Sequence, residues 1–326
     1  MNNRKTLSKL AGLTFLSSAS KRAARLALGS FLLAALFASA AEAQQRTFVS
    51  GLGNDTNPCT RSSPCRTIAQ ALSLTVAGGE VVVLDSAGYG PFTITQAVTV
   101  QAPPGVYAGI SVFSGAGITV NAGVTDTVIL RGLTVNNQGS NGDGIFAFAG
   151  GTLHVESCVV NGFSSGSGVD FSNPGTLEVK DSILRGNSTG ILVGPPSGTA
   201  QAEIDHVSMN DNTGDGLDVL GGSKVTIRDS VASGNVNNGF SVICSGATSA
   251  ELNVEGCVVS NNTLGIVSTS SSTGVATVRV SNSTITNNSE GLHNSGSPAV
   301  FLSRGNNTVE GNTTNTDGTI GSYGAK

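Results

Sequence analysis

The chain repeats itself at a nearly fixed interval. A short motif of alternating apolar and polar residues occurs as VILRGLTV at Val128, LHVESCVV at Leu153, LEVKDSIL at Leu177, AEIDHVSM at Ala202, VTIRDSVA at Val225, LNVEGCVV at Leu252 and VRVSNSTI at Val278. The steps between copies are 25, 24, 25, 23, 27 and 26 residues. Each copy leads into a glycine followed by an apolar residue: Gly144-Ile145, Gly168-Val169, Gly190-Ile191, Gly216-Leu217, Gly239-Phe240, Gly265-Ile266 and Gly291-Leu292. Such a period means one structural unit stacked many times, each copy burying the face its neighbour leaves open.

The alternation says what the unit is. Side chains along a strand face opposite sides in turn, so Leu153 and Val155 point inward while His154 and Glu156 point outward. A bend follows, then a second strand with Cys158 and Val160 inward, a tight turn, and a third strand such as Gly190-Ile191-Leu192-Val193. No helical period runs through these segments. The 44 glycines, the absence of Trp and the 12% of charged residues fit short Val, Ile and Leu runs cut by Gly, Ser, Thr and Asn turns. The expected fold is all-β: a single-stranded parallel β-helix, a solenoid with coils of about 25 residues.

Stacking turns equivalent positions into columns about 4.8 Å apart per rung. Asn187, Asn212, Asn235, Asn262 and Asn288 each fall three residues after the last inward residue of the second strand. An amide both donates and accepts, so this column reads as a structural asparagine ladder; the bland alternative is the ordinary turn preference of Asn. An outward column reads Arg131, Glu156, Lys180, Asp205, Arg228, Glu255, Ser281. Its charges alternate, and opposite charges on neighbouring rungs attract, as a register device needs. The adjacent bend column reads Gly132, Ser157, Asp181, His206, Asp229, Gly256, Asn282. His206 is expected there as a cation between Asp181 and Asp229, either a proton-transfer or pH-sensitive rung or one more charge-complementary stack.

The N-terminus differs from the rest. Arg4, Lys5, Lys9, Lys21, Arg22 and Arg25 precede the apolar run LALGSFLLAALFASA and the small-residue site AEA ending at Ala43. This is the pattern of a cleaved secretory signal over 1–43, which places the protein in the periplasm or outside the cell; no other apolar run is long enough for a membrane span. The expected layout continues with an N-terminal cap and first coils over 44–97, β-helix coils over 98–318 and an irregular tail over 319–326. Removing 43 residues with six of the 17 basic and one of the 21 acidic side chains leaves 11 against 20, a net charge of −9. That balance disfavours nucleic acid and anionic membranes as partners.

Cys59 and Cys65 lie close together in one loop of an exported chain and are expected to form a disulfide. Cys158 and Cys257 share an inward column four coils apart, about 19 Å by strand spacing and out of reach of each other. With Cys244 they read as buried thiols. No His or Cys cluster surrounds these three, so they are not read as a metal site, and no metal or cofactor is expected.

The coil motif resembles the right-handed parallel β-helix superfamily of pectate and pectin lyases, over roughly Phe48 to the C-terminus. The resemblance implies right-handed coils and, over Thr67–Val76, a short helix capping the open core with Ile68, Ala71 and Leu72. Glu203-Ile204-Asp205-His206 resembles the WIDH signature of pectate lyases, in which the aspartate binds calcium; Glu203 stands in place of the Trp, and no RxPxxR motif supplies the base arginine. On that reading calcium would be the cofactor, with Asp205, His206 and Arg228 catalytic, although Lys180 and Arg228 compete with calcium for Asp205. A polygalacturonase-type hydrolase needs paired carboxylates. Asp170 and Asp218 share an outward column two coils apart, about 9.6 Å by strand spacing, with Asp215 adjacent, but the GHG and RIK motifs of that family are missing. Phe146 tops this column as a platform for a sugar ring; Lys180, Asp181 and Asp229 are further binding candidates. The leading expectation is an exported β-helix protein without a complete catalytic motif that binds extracellular polysaccharide or a surface partner. The alternatives are a polysaccharide lyase or hydrolase, and a purely structural, adhesin-like protein.

Overall fold

The structure, a computed structural model, describes residues 44–324; the signal expected over 1–43 lies outside the described residues. The chain winds into a parallel solenoid whose coils build three sheets of twelve, ten and ten strands. Each strand inside a sheet pairs with its equivalents one coil before and one coil after. Leu153 in Thr152–Glu156 is level with Val128 on one side and Leu177 on the other. Period-two patterning fixes this register, because a slip by one residue would turn every Leu and Val of the strand out to water. Leu153, Leu177, Ala202, Val225, Leu252 and Val278 are all buried, as are Val155, Val179, Ile204, Ile227, Val254 and Val280 on the same strands.

The bend between the first and second sheets has its own requirement. Ser157, Asp181, His206, Asp229 and Asn282 have φ between 48° and 54°, and Gly132 and Gly256 occupy the same place at 70° and 65°. That left-handed region suits Gly, Asn and Asp and penalises most other residues, so backbone geometry selects this column. The inward residue just after the bend is often Ser. The hydroxyls of Ser182, Ser230 and Ser283 each accept from the backbone N–H one coil back, at Cys158, Val207 and Cys257, all at 3.1 Å.

The turn between the second and third sheets carries buried asparagines. Asn212 Nδ2 donates to Asn235 Oδ1 at 2.8 Å, Asn235 to Asn262 at 2.9 Å, Asn262 to Asn288 at 3.0 Å and Asn288 to Asn312 at 2.9 Å. Each acceptor oxygen also takes a backbone N–H from the coil before, as in Asn187 N to Asn212 Oδ1 at 3.0 Å. Phe163 occupies the equivalent place one coil earlier, and its N–H reaches Asn187 Oδ1. At the far end Asn312 Nδ2 finds Asn315 Oδ1 within its own turn, at 3.2 Å. The glycines beside the ladder are there for space: a Cβ on Gly239 would stand 2.6 Å from the Gly265 carbonyl and 3.0 Å from Asn262 Nδ2.

The N-terminal end is closed by the helix Ile68–Leu74, N-capped by the Thr67 hydroxyl on Gln70 N, with Ile68 and Ala71 buried. The Cys59–Cys65 disulfide closes the loop before it, and Cys158, Cys244 and Cys257 are buried free thiols. The C-terminal end departs from the sequence expectation. The segment 319–326, expected to be irregular, contains the strand Ile320–Ser322, which pairs with Val300–Ser303 at Phe301; the coils therefore run further than the apolar pattern suggests. Among the described residues no helix is long and apolar enough to cross a membrane.

Candidate functional site

Two faces collect the chemistry. On the first sheet, Asp205 is held from both sides. Its Oδ2 faces Arg228 at 3.2 Å and Lys180 at 3.8 Å, and its Oδ1 meets His206 Nδ1 at 2.7 Å. The Arg228 hydrogen bond, with help from His206, holds the Asp205 carboxyl below its ordinary value against the opposing effect of burial. The sequence placed His206 between Asp181 and Asp229. Instead its partner is the preceding residue: Asp229 does converge on the Asp205–His206 pair within 4.8 Å, while Asp181 makes no ion pair or hydrogen bond with the ring. Both Asp205 oxygens are thus taken by donors or cations, and a calcium ion would have to displace them.

Beside this cluster the same sheet carries a groove of about 360 Å³, lined by Glu178, Glu203, Glu251, Lys224, Gln201 and Asn253 among others. His154 Nδ1 reaches Glu178 at 2.9 Å and Arg279 reaches Glu251 at 3.2 Å. Lys224 and these partners offset much of the charge of the three carboxylates that line the groove.

On the third sheet, the outward column runs Phe146, Asp170, Leu192, Asp218, Ser241, Val267, His293, Asp317, each level with the next. Leu192 therefore separates the two carboxylates paired in the sequence reading. Phe146 stacks obliquely on Phe148, ring centroids 5.3 Å apart, and Phe148 is 42% exposed. Burial pushes the Asp170 carboxyl up, opposed by a Ser172 hydrogen bond and aided by Asp143. Burial raises Asp143 as well. Asp218 is pushed up to about 6, mainly by burial, with the neighbouring Asp215 adding to it. Ser241 Oγ lies 2.7 Å from Asp218 Oδ1 and 3.2 Å from Asp215 Oδ2. A hydroxyl has one proton to give; a proton on Asp218 lets it donate to Ser241 while Ser241 donates to Asp215. Asp215 in turn accepts from the Asn238 backbone and side chain at 3.0 and 2.9 Å.

The sequence reading missed Asp143 and a third group, Glu290, His293 and Asp317, whose ligand atoms lie within 4.8 Å of one another. A signal was present. Asp143, Asp215 and Glu290 each directly precede the glycine that opens a third strand, and Asp218 and His293 each follow it by two residues.

A family model described as the right-handed β-helix region matches residues 116–314, well over half the chain. The chain belongs to the right-handed β-helix family. Three solved right-handed β-helix structures share its architecture. A pectate lyase superposes with a TM-score of 0.62 at 16% identity, covering 84% of this chain and 78% of that one. A lacto-N-biosidase from Eubacterium ramulus gives 0.57 at 11%, covering 86% and 67%. An alginate lyase from a Paenibacillus species gives 0.54 at 14%, covering 85% and 100%. At these identities the likeness is one of fold, and function in β-helix proteins has to be argued from the site. No curated protein sequence matches the chain.

Proposed function

We propose that this β-helix protein is exported and binds an extracellular polysaccharide along its third-sheet face, without a complete lyase site. The observation that carries the reading is Phe146, which tops the outward column of Asp170 and Asp218 and packs against the exposed ring of Phe148 two residues on. An exposed aromatic face beside hydrogen-bonding carboxyls is the usual chemistry of sugar contact. The carboxylates of that face, Asp170, Asp215 and Asp218, favour a neutral or amino-bearing polymer over a polyuronate. The fold relatives named as lyases and a glycosidase act on glycans, which agrees with this class of partner.

Affinity electrophoresis of residues 44–326 in gels carrying neutral, cationic or uronate polymers tests the reading. Retardation by a neutral or cationic polymer, lost in Phe148→Ala, is the expected result; free migration in every gel would refute it and leave the structural, adhesin-like role. One observation favours hydrolysis as a second reading. Asp218, raised to about 6, can hold the proton a general acid gives to a leaving group. Release of reducing ends from the retarding polymer, abolished in Asp218→Asn, would make it an enzyme. Lyase activity at Asp205 would instead give an unsaturated product that depends on calcium.

A further inference from the structure

We propose that Glu290, His293 and Asp317 form a divalent transition-metal site, of the kind that takes zinc, which staples the last coils of the solenoid together. Glu290 and His293 lie on Glu290–Ser295 and Asp317 on Thr314–Asp317, the next rung, with His293 level with Asp317. His293 Nδ1 stands 2.7 Å from Glu290 Oε2 and 3.2 Å from Asp317 Oδ2.

Proton arithmetic argues for a cation. Nδ1 carries at most one hydrogen, yet two carboxylate oxygens converge on it, so one is left without a proton whatever the tautomer. No Lys or Arg among the described residues pairs with Glu290 or Asp317. One imidazole and two carboxylates are a ligand set that zinc accepts. Ligand atoms about 2.1 Å from zinc stand about 3.4 Å apart in a tetrahedron, so the Asp317 spacing already suits a metal and the Glu290 oxygen needs to move out by well under about 1 Å.

Asp205, His206 and Asp229 make a second convergent set, but there Arg228 and Lys180 already supply positive charge to Asp205, and a cation would be repelled. The two sets share ligand types and differ in whether the charge is already balanced.

The position supplies the role. All four residues of Thr314–Asp317 are exposed, so this strand has almost no apolar burial to hold it. A metal shared between Asp317 and the strand before it would fix the terminal coil, as structural metals do in small folds.

Isothermal titration of tag-free, chelator-treated residues 44–326 with zinc chloride, and separately with calcium and magnesium chloride, tests the assignment. Hydrogen exchange across 314–317 is followed in the same samples. The expected result is one zinc ion per chain, calcium and magnesium weaker by at least about a hundredfold, and slower exchange in 314–317 with zinc present. Glu290→Gln, which keeps the side-chain shape, should weaken zinc by at least about tenfold, His293→Ala should abolish it, and His206→Ala should leave it intact. No heat and no protection with zinc at millimolar concentration would overturn the proposal. So would zinc binding that survives Glu290→Gln and His293→Ala, or that disappears in His206→Ala.

Discussion

Burial pushes the Asp218 carboxyl up to about 6, whereas Arg228 holds the Asp205 carboxyl down. The first has a consequence for stability. Between the ordinary value of 3.8 and about 6, the folded chain holds more protons than the unfolded one, so the Asp218 contribution to stability falls as pH rises through that window. Above it the ionised carboxyl costs at most about 2–3 kcal/mol. Asp218→Asn removes the charge and keeps the shape. Urea unfolding should find the variant more stable than the parent by up to about 2 kcal/mol at neutral pH, with the gain vanishing below the ordinary carboxyl range; equal stability at both pH values would show that Asp218 is not strained by burial. These electrostatic differences were hidden in the sequence, where Asp205 and Asp218 look alike. The same holds for the bend. Asp181, His206 and Asp229 read as a charge stack because a sequence shows side-chain types and not φ; the backbone had already reserved that column for residues tolerant of the left-handed region.

At the scale of the element, the asparagine column was legible because its offset from the second strand is constant, a spacing that turn preference alone does not produce. What the sequence left out was its reach. Asn312 extends the column by a coil, but Glu310 and the polar run after Gly311 hide the apolar alternation that marks the earlier coils. Asn235 is bonded on both sides: its Oδ1 takes the backbone and side-chain N–H groups of Asn212, and its Nδ2 serves Asn262 Oδ1 and the Met209 carbonyl. Asn235→Ala orphans two buried donors and should cost about 3–5 kcal/mol in urea unfolding. A loss below about 1 kcal/mol would mean that water enters the turn and replaces the amide. The Cys59–Cys65 pairing was equally readable, from two thiols six residues apart in one loop.

For the whole molecule, the repeat length and its parity were enough to give the architecture, since three strands per coil and buried alternate residues leave few other arrangements. The candidate sites were less legible, because they form between rungs: His293 and Asp317 are 24 residues apart and one strand spacing away from each other. A stack with nearest-neighbour coupling should tolerate loss of one whole unit. Deleting residues 225–251, one full step, should leave a folded chain with a cooperative melt and a β-type circular dichroism spectrum, whereas deleting 225–237 should not; collapse of both would show that distant coils are coupled. The ladder also gives the solenoid a direction. Every amide from Asn212 to Asn288 gives one N–H to the asparagine oxygen of the next coil, while Asn235, Asn262 and Asn288 give the other to a carbonyl of the coil before, so a chain assembling from its N-terminus presents at each stage one N–H that the next coil satisfies. Growth is thereby drawn forward one turn at a time, and the column closes where Asn312 Nδ2 turns to Asn315 Oδ1 in its own turn and to the Ile285 carbonyl behind it.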